Sequence, residues 1–182
     1  MKISEYFGKM RGTPNGSPPR VNNKEILWSW IGAFLGIALV AWVDHFFFEG
    51  SDLSLMIGSF GASAVLVYGA VRSPLAQPRN LMGGHILSAI VGVACWKLFH
   101  QYPWLAEAVA VATAIALMHI TRTLHPPGGA TALIAVIGSA GIHKLGFIYV
   151  LIPATLGPLI LLVVALLVNN IPESRRYPEI WF

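Results

Sequence analysis

A nine-residue stretch, HPPGGATAL at positions 125–133, lies between two long apolar runs. Pro126 and Pro127 have no amide hydrogen but are tolerated in the first turn of a helix, so a helix is expected to begin here. Gly128 and Gly129 let other groups approach the backbone closely. A helix that begins inside a membrane leaves its first amides unpaired at the positive end of its dipole. A bound anion would accept hydrogen bonds from these amides and would be attracted by the positive end of the dipole.

The composition is that of an integral membrane protein. Of the 182 residues, 55% are hydrophobic and 11% are charged, and the mean hydropathy is +0.66. Soluble domains carry about a quarter charged residues, which excludes a soluble all-α domain. The net charge of +4 comes from basic residues that flank apolar segments, a pattern of membrane orientation rather than of nucleic-acid binding. The single cysteine, Cys95, permits no intrachain disulfide and no cysteine-based metal site.

Six apolar segments can be drawn between a basic cytoplasmic arm (1–25) and an interfacial cytoplasmic tail (169–182). A spanning helix needs about 20 apolar residues, and four segments meet this length. The second is interrupted by Gly58 and Gly61, and the fifth is short, so both are expected to be broken or re-entrant. The segments are Ile26–Phe48, Leu53–Val71, Asn80–Phe99, Pro103–Thr121, Pro126–Ala140 and Gly146–Val168.

The distribution of basic residues favours six crossings over four. With six, both termini face the cytoplasm and ten basic residues lie inside against two outside, Lys97 and Lys144; with four the division is eight to four. The predicted location is the inner (plasma) membrane. The ten are Lys2, Lys9, Arg11, Arg20, Lys24, Arg72, Arg79, Arg122, Arg175 and Arg176.

An internal repeat supports the same topology. GASAVL (61–66) aligns with GATALI (129–134) at an offset of 68 residues, with three identical and three conservative positions. Each string has an apolar segment before it and another after it. Two units of three crossings would enter from opposite faces, which predicts an all-α fold of two inverted three-helix repeats, as in many transporters.

In such a pair the two helix starts meet near the midplane and bind a small anion through amides and hydroxyls. The alternative for these small residues is helix packing, which is the interpretation for Gly32 and Gly36 and for the alanines at 108, 112 and 116. The predicted anion-binding residues are Ser59, Gly61, Ala62, Ser63, His85, His125, Gly128, Gly129, Ala130 and Thr131.

Three histidines leave a second hypothesis open. His85, His119 and His125 could form a metal site in a membrane enzyme or metal-binding protein. No two of them have the four-residue spacing of a helical metal pair, so no metal is predicted. His85 or His125 could instead carry a proton alongside a substrate. No catalytic motif and no cofactor site is recognised.

These motifs resemble those of the HPP family of integral membrane proteins. The resemblance rests on HPPGGATAL, on GSFGASAVL (58–66), on SPLAQPRNLMGGH (73–85) and on the closing NN (169–170) and YP (177–178), and it covers residues 25 to 182. Members in cyanobacteria and chloroplasts are associated with nitrite transport, so the resemblance implies a nitrite or small-anion transporter. The family is often described with four spans. The expected partners are a small inorganic anion, the bilayer and further copies in a homo-oligomer, with no nucleic acid.

Overall fold

The computed structural model describes residues 3–10, 17, 19–48 and 55–182, and every regular element in those ranges is helical. The basic residues Lys2 and Arg11 and the start of the second apolar segment at Leu53 lie outside the described residues. The helices are α1 (Ile3–Lys9), α2 (Asn23–Phe48), α3 (Ser59–Ala64), α4 (Pro78–Phe99), α5 (Pro103–Ile120), α6 (Pro126–Ile137), α7 (Ala140–Leu145), α8 (Ile148–Leu151) and α9 (Leu156–Val168). A π-helical turn, Val65–Gly69, continues α3, and a 3-10 turn, Pro74–Ala76, precedes α4.

Four helical stretches in the described ranges are long and apolar enough to cross a membrane. They are Asn23–Phe48, Pro78–Phe99, Pro103–Ile120 and Ile148–Val168. The second and fifth segments form only the short apolar helices Ser59–Gly69 and Pro126–Ile137. A 12-residue helix is about 18 Å long against a hydrocarbon core of about 30 Å. The interruption of these two segments is therefore confirmed, whereas their arrangement as inverted repeats stays a prediction.

Two glycines on α2 leave space for an aromatic ring to pack against the helix. A Cβ atom at Gly32 would lie 2.7 Å from Cδ1 of Tyr68, and one at Gly36 would overlap the phenol end of the same ring. The hydroxyl group of this tyrosine donates to the carbonyl oxygen of Leu161 on α9 at 2.9 Å. The packing role predicted for Gly32 and Gly36 is confirmed, since any side chain there would displace the tyrosine.

The packing face of α5 differs from the predicted one. The alanines at 108, 112 and 116 point outward and are exposed, while Ala106, Ala110 and Ala114 are buried against α4 and α6. Alanine occupies every second position from 106 to 116, which produces two alternative stripes of four-residue spacing. The partner helices decide which stripe is buried, and the sequence pattern is the same for both.

The C-terminal tail is locked to the start of α2 by one arginine. Arg175 is 8% exposed, and its Nε atom lies 2.8 Å from a carboxylate oxygen of Glu25. The remaining guanidinium nitrogens donate to Ser29 Oγ and Asn169 Oδ1 and to the carbonyl oxygens of Glu25 and Tyr68. Because a buried guanidinium needs all its donors paired, this residue fixes the tail to the bundle.

The loop before α4 lies at the same end of the bundle as the tail. Arg72 donates to the carbonyl oxygen of Ser174, and the Tyr177 hydroxyl donates to that of Ala76 at 2.8 Å. Burial raises the pKa of Tyr177, which keeps this hydroxyl protonated as a donor. Arg79 donates to the carbonyl oxygen of Thr121, the residue that follows α5. We call this the tail end: the start of α2, residues 70–80, residues 121–124 and the tail.

At the opposite end, the backbone amide of Leu55 donates to the Asp44 carboxylate near the end of α2. The chain therefore returns from there to the tail end through residues 55–58, which form no regular element, and the helix Ser59–Gly69. Six crossings would require such a return, and the six-crossing topology stays a prediction. The main core lies where α2, α3, α4 and α9 meet, and a second apolar cluster joins α4, α5 and α6.

Candidate functional site

The two interrupted helices run in opposite directions where they touch. The hydroxyl oxygens of Ser59 and Thr131 are 2.9 Å apart, and Ser63 Oγ lies 3.0 Å from Nε2 of His125. Since the chain position rises along α3 as it falls along the partner segment, the contact is antiparallel. Each helix thus presents hydroxyls to the other, but the start of α3 lies beside Thr131 in the second turn of α6 and the start of α6 lies beside Ser63, so the two starts pass side by side rather than meeting end to end. Binding of an anion by their amides stays a prediction.

His85 on α4 bridges the two helices. Its Nε2 atom lies 2.7 Å from Ser63 Oγ, and its Nδ1 atom lies 2.7 Å from Thr131 Oγ1. Ser63 and Thr131 occupy the same position of the six-residue repeat, 68 residues apart. A single imidazole therefore joins the equivalent hydroxyls of the two strings.

His125 precedes the first turn of α6 and is fixed by the backbone at the tail end. Its Nδ1 atom lies 2.8 Å from the carbonyl oxygen of Leu75, in the 3-10 turn before α4. A carbonyl oxygen only accepts, so Nδ1 carries a hydrogen and donates it. The ring is held close to α4, because a Cβ atom at Gly84 would lie 2.5 Å from that of His125. The glycine is required by this approach.

These five side chains form one hydroxyl–imidazole cluster, defined as Ser59, Ser63, His85, His125 and Thr131. Ser59 is 1% exposed and the other four are 0% exposed. The Phe60 ring packs on that of His85 at an interplanar angle of 74°, and the two imidazole centroids are 5.1 Å apart. Within residues 19–48 and 55–182, no carboxylate, lysine or arginine side chain hydrogen-bonds to either ring. The cluster is thus polar and titratable but carries no fixed charge.

None of the predicted glycine and alanine residues contributes a side chain to the cluster. They differ in how tightly their surroundings pack against them. Gly128 is a packing residue, since a Cβ there would lie 2.8 Å from both Gly84 O and Ser88 Oγ. Gly129 meets only one methyl group, at 4.0 Å, and Gly61 meets nothing within 4 Å. Gly61 and Ala62 are exposed on the outer face of α3, and Ala130 is half-buried. The structure does not bring these outer positions to the hydroxyls.

The third histidine lies apart from the other two. His119 is exposed near the end of α5, and across the described ranges no three His, Cys, Asp or Glu residues are grouped as a metal site requires. Both Nε2 atoms of the buried pair point at Ser63. The three-histidine metal hypothesis therefore lacks the geometry it needs.

Sequence reasoning missed two parts of the site. The buried Tyr149 of α8 donates its hydroxyl to the carbonyl oxygen of Thr131 at 3.0 Å. The Leu75 carbonyl, which sets the tautomer of His125, is a backbone group. A tyrosine in an apolar span is a signal that such a hydroxyl needs a partner, but a backbone acceptor leaves no trace in residue type.

Comparison with known proteins settles the family. The profile of the HPP transmembrane region matches residues 18–178. The chain belongs to the HPP family. In this HPP chain the motif residues have two tasks: His85 and His125 belong to the cluster, with the Leu75 carbonyl as a partner of His125, whereas Asn169, Asn170 and Tyr177 hold the tail. These motif residues thus serve two separate hydrogen-bonded sites.

Two Dictyostelium discoideum proteins, both named as transmembrane proteins, are similar to this HPP chain. One is 44% identical over 181 residues, which cover 98% of the chain and 58% of the relative. The other is 43% identical over 187 residues, which cover 100% of the chain and 65% of the relative. The chain thus spans less than two thirds of the length of either. No solved structure matches it.

Proposed function

We propose that this HPP-family chain forms a pathway across the membrane for a small monovalent anion, with nitrite as the preferred substrate. One observation carries the proposal: hydroxyl and imidazole groups from two interrupted, oppositely directed segments meet in a fully buried cluster. Polar and titratable groups are costly inside a membrane, and there they mark substrate and ion pathways. The proposed activity is transport and not enzymatic catalysis.

The cluster suits an anion because its side chains can turn donors toward a guest. Ser63 has a second acceptor in the carbonyl oxygen of Ser59 at 3.2 Å, and Thr131 has one in that of Pro127 at 3.3 Å. Each hydroxyl therefore rotates between partners without movement of the backbone. The positive end of the α6 dipole adds a further attraction for negative charge. Hydroxyl and imidazole donors without a lysine or arginine would bind an anion weakly enough to release it.

The proposed path has six crossings, with both termini at the cytoplasmic face of the inner membrane. The bonds between residues 70–80 and the tail support this, because they place the first return of the chain at the end where α2 begins. The excess of basic residues assigned to that side agrees with the positive-inside rule. The antiparallel contact of the two short helices is the arrangement that inverted repeats would produce.

The decisive experiment is uptake by purified protein in liposomes. A nitrite gradient should drive uptake well above that of protein-free liposomes, and unlabelled nitrite should compete better than nitrate, formate or chloride. Ser63→Ala should abolish the uptake, while Ser139→Ala, on the exposed residue before α7, should match the parent. Equal uptake with and without protein would refute the proposed function, and uptake of chloride in preference to nitrite would refute the substrate.

A further inference from the structure

We propose that the hydroxyl–imidazole cluster holds one proton and moves it with each anion, so that transport is electroneutral. This rests on the proposed function, and it assigns the ion that accompanies the substrate. The argument begins at His125, whose Nδ1 hydrogen is committed to the Leu75 carbonyl oxygen. In the neutral ring Nε2 is then a bare acceptor, and the donor within reach is the hydroxyl of Ser63 at 3.0 Å.

The directions of the neighbouring hydrogen bonds follow from this one. The Ser63 hydroxyl has a single hydrogen, which it donates to His125. Its oxygen, 2.7 Å from Nε2 of His85, must therefore accept from that atom. His85 is then bare at Nδ1 and accepts the hydroxyl hydrogen of Thr131 at 2.7 Å. The Ser59 hydroxyl oxygen, 2.9 Å from Thr131 Oγ1, is another acceptor within reach of that hydrogen. His125, Ser63 and His85 thus each donate once and accept once in one direction, which is the order that proton transfer along hydrogen bonds requires.

The same atoms accommodate one more proton without movement of a heavy atom. If a proton binds Nδ1 of His85, Thr131 turns its hydrogen to the Pro127 carbonyl oxygen and accepts from the ring instead. If it binds Nε2 of His125, Ser63 turns to the Ser59 carbonyl oxygen and accepts from both rings. Each hydroxyl thus has a carbonyl four residues earlier in its own segment as the alternative acceptor.

A second added proton is not accommodated. The two rings are 5.1 Å apart and share Ser63 between their Nε2 atoms, so two imidazolium ions would face each other in an apolar interior. The groups packed around the rings offer no counter-charge: α3 contributes hydroxyls and Phe60, α4 and α6 contribute the imidazoles and Thr131, and α8 contributes the neutral Tyr149. Among the residues that the structure describes, no other titratable group contacts the cluster. The capacity is one.

An anion and this proton stabilise each other by the same amount, since coupling between two bound species is reciprocal. The proton leaves water at one face and forms an N–H bond on an imidazole, and at the other face that bond breaks and the proton returns to water. No other bond changes. One nitrite and one proton therefore cross together with no net charge.

The test uses liposomes that contain a pH-sensitive dye and the full chain, near neutral pH, after subtraction of protein-free liposomes. Nitrite entry should acidify the lumen by one proton per anion, and a positive-inside potassium diffusion potential should not accelerate it. In His125→Asn, which keeps a donor for Leu75, and in His85→Gln, the coupled proton entry should fall by roughly two orders of magnitude, because the anion's charge is then uncompensated. His119→Gln, on an exposed histidine, should match the parent.

Two contrary results are distinguishable. Nitrite uptake by the parent that accelerates under a positive-inside potential and leaves the lumen pH unchanged would overturn the proton inference alone. Absence of nitrite uptake by the parent would overturn the proposed function and this inference with it. The parent measurement decides the question even if one histidine variant fails to fold, and the second variant then tests the assignment of residues.

Discussion

Replacing Thr131 with valine removes one hydroxyl from the centre of the cluster and keeps the shape of the side chain. Two buried partners lose their hydrogen bond, Nδ1 of His85 at 2.7 Å and Oγ of Ser59 at 2.9 Å. An ordinary hydrogen bond between membrane helices contributes only about 0.6 kcal/mol. A buried polar group left unpaired costs about 1–3 kcal/mol. The second effect is the larger, so the free energy of unfolding should fall by about 2–6 kcal/mol.

Transport should fall as well, because a lost hydrogen bond to a charged guest corresponds to roughly a 10- to 150-fold loss. The assay is nitrite uptake in liposomes at matched protein content, with unfolding in detergent measured on the same preparation. Thr131→Ser restores the hydroxyl and is the control, which should recover most of both quantities. A valine variant that folds, is as stable as the parent and transports as fast would refute the role of this hydroxyl in the cluster and in the pathway.

Three further predictions concern the scaffold. Arg175→Gln should lower the free energy of unfolding by about 1–3 kcal/mol, because it leaves the buried acceptors Asn169 Oδ1 and Tyr68 O without their donor; denaturant unfolding that matches the parent would contradict this. Gly36→Ala should cost about 1–3 kcal/mol by overpacking against Tyr68, whereas Gly61→Ala, at an open position, should be near neutral in the same assay. In a background without the native cysteine, Pro74→Cys should react with an impermeant maleimide from the same side as the C terminus and Gln101→Cys from the other; reaction of both from one side would exclude six crossings.

Much of the local structure followed from residue types. Pro126 and Pro127 cannot continue a preceding helix, so the start of α6 was predictable to the residue. Gly58 and Gly61 marked the second segment as interrupted, and its helix begins between them at Ser59. These are properties of one or two neighbouring residues, which is why periodicity and turn chemistry capture them.

The choice of partners was not predictable in the same way. Two equal alanine stripes on α5 differ only in which one meets α4 and α6, and the exposed stripe was the one chosen from the pattern. Gly61 and Ala62 share the repeat with Ser63 but point outward, because a helix places adjacent residues about 100° apart. A string of small residues does not say which of its members faces inward.

The sequence alone determined that the chain is helical and is a membrane protein. It also determined the positions at which two of the six apolar segments are broken, and which hydroxyl and imidazole residues lie beside these breaks. Charge content, helix length and the missing amide of proline decide these points locally. Only the tertiary structure decided that His85 joins two hydroxyls 68 residues apart and that the Leu75 carbonyl sets the tautomer of His125. Hydrogen bonds act over about 3 Å, so the cluster depends on contacts that exist only once distant segments have packed together.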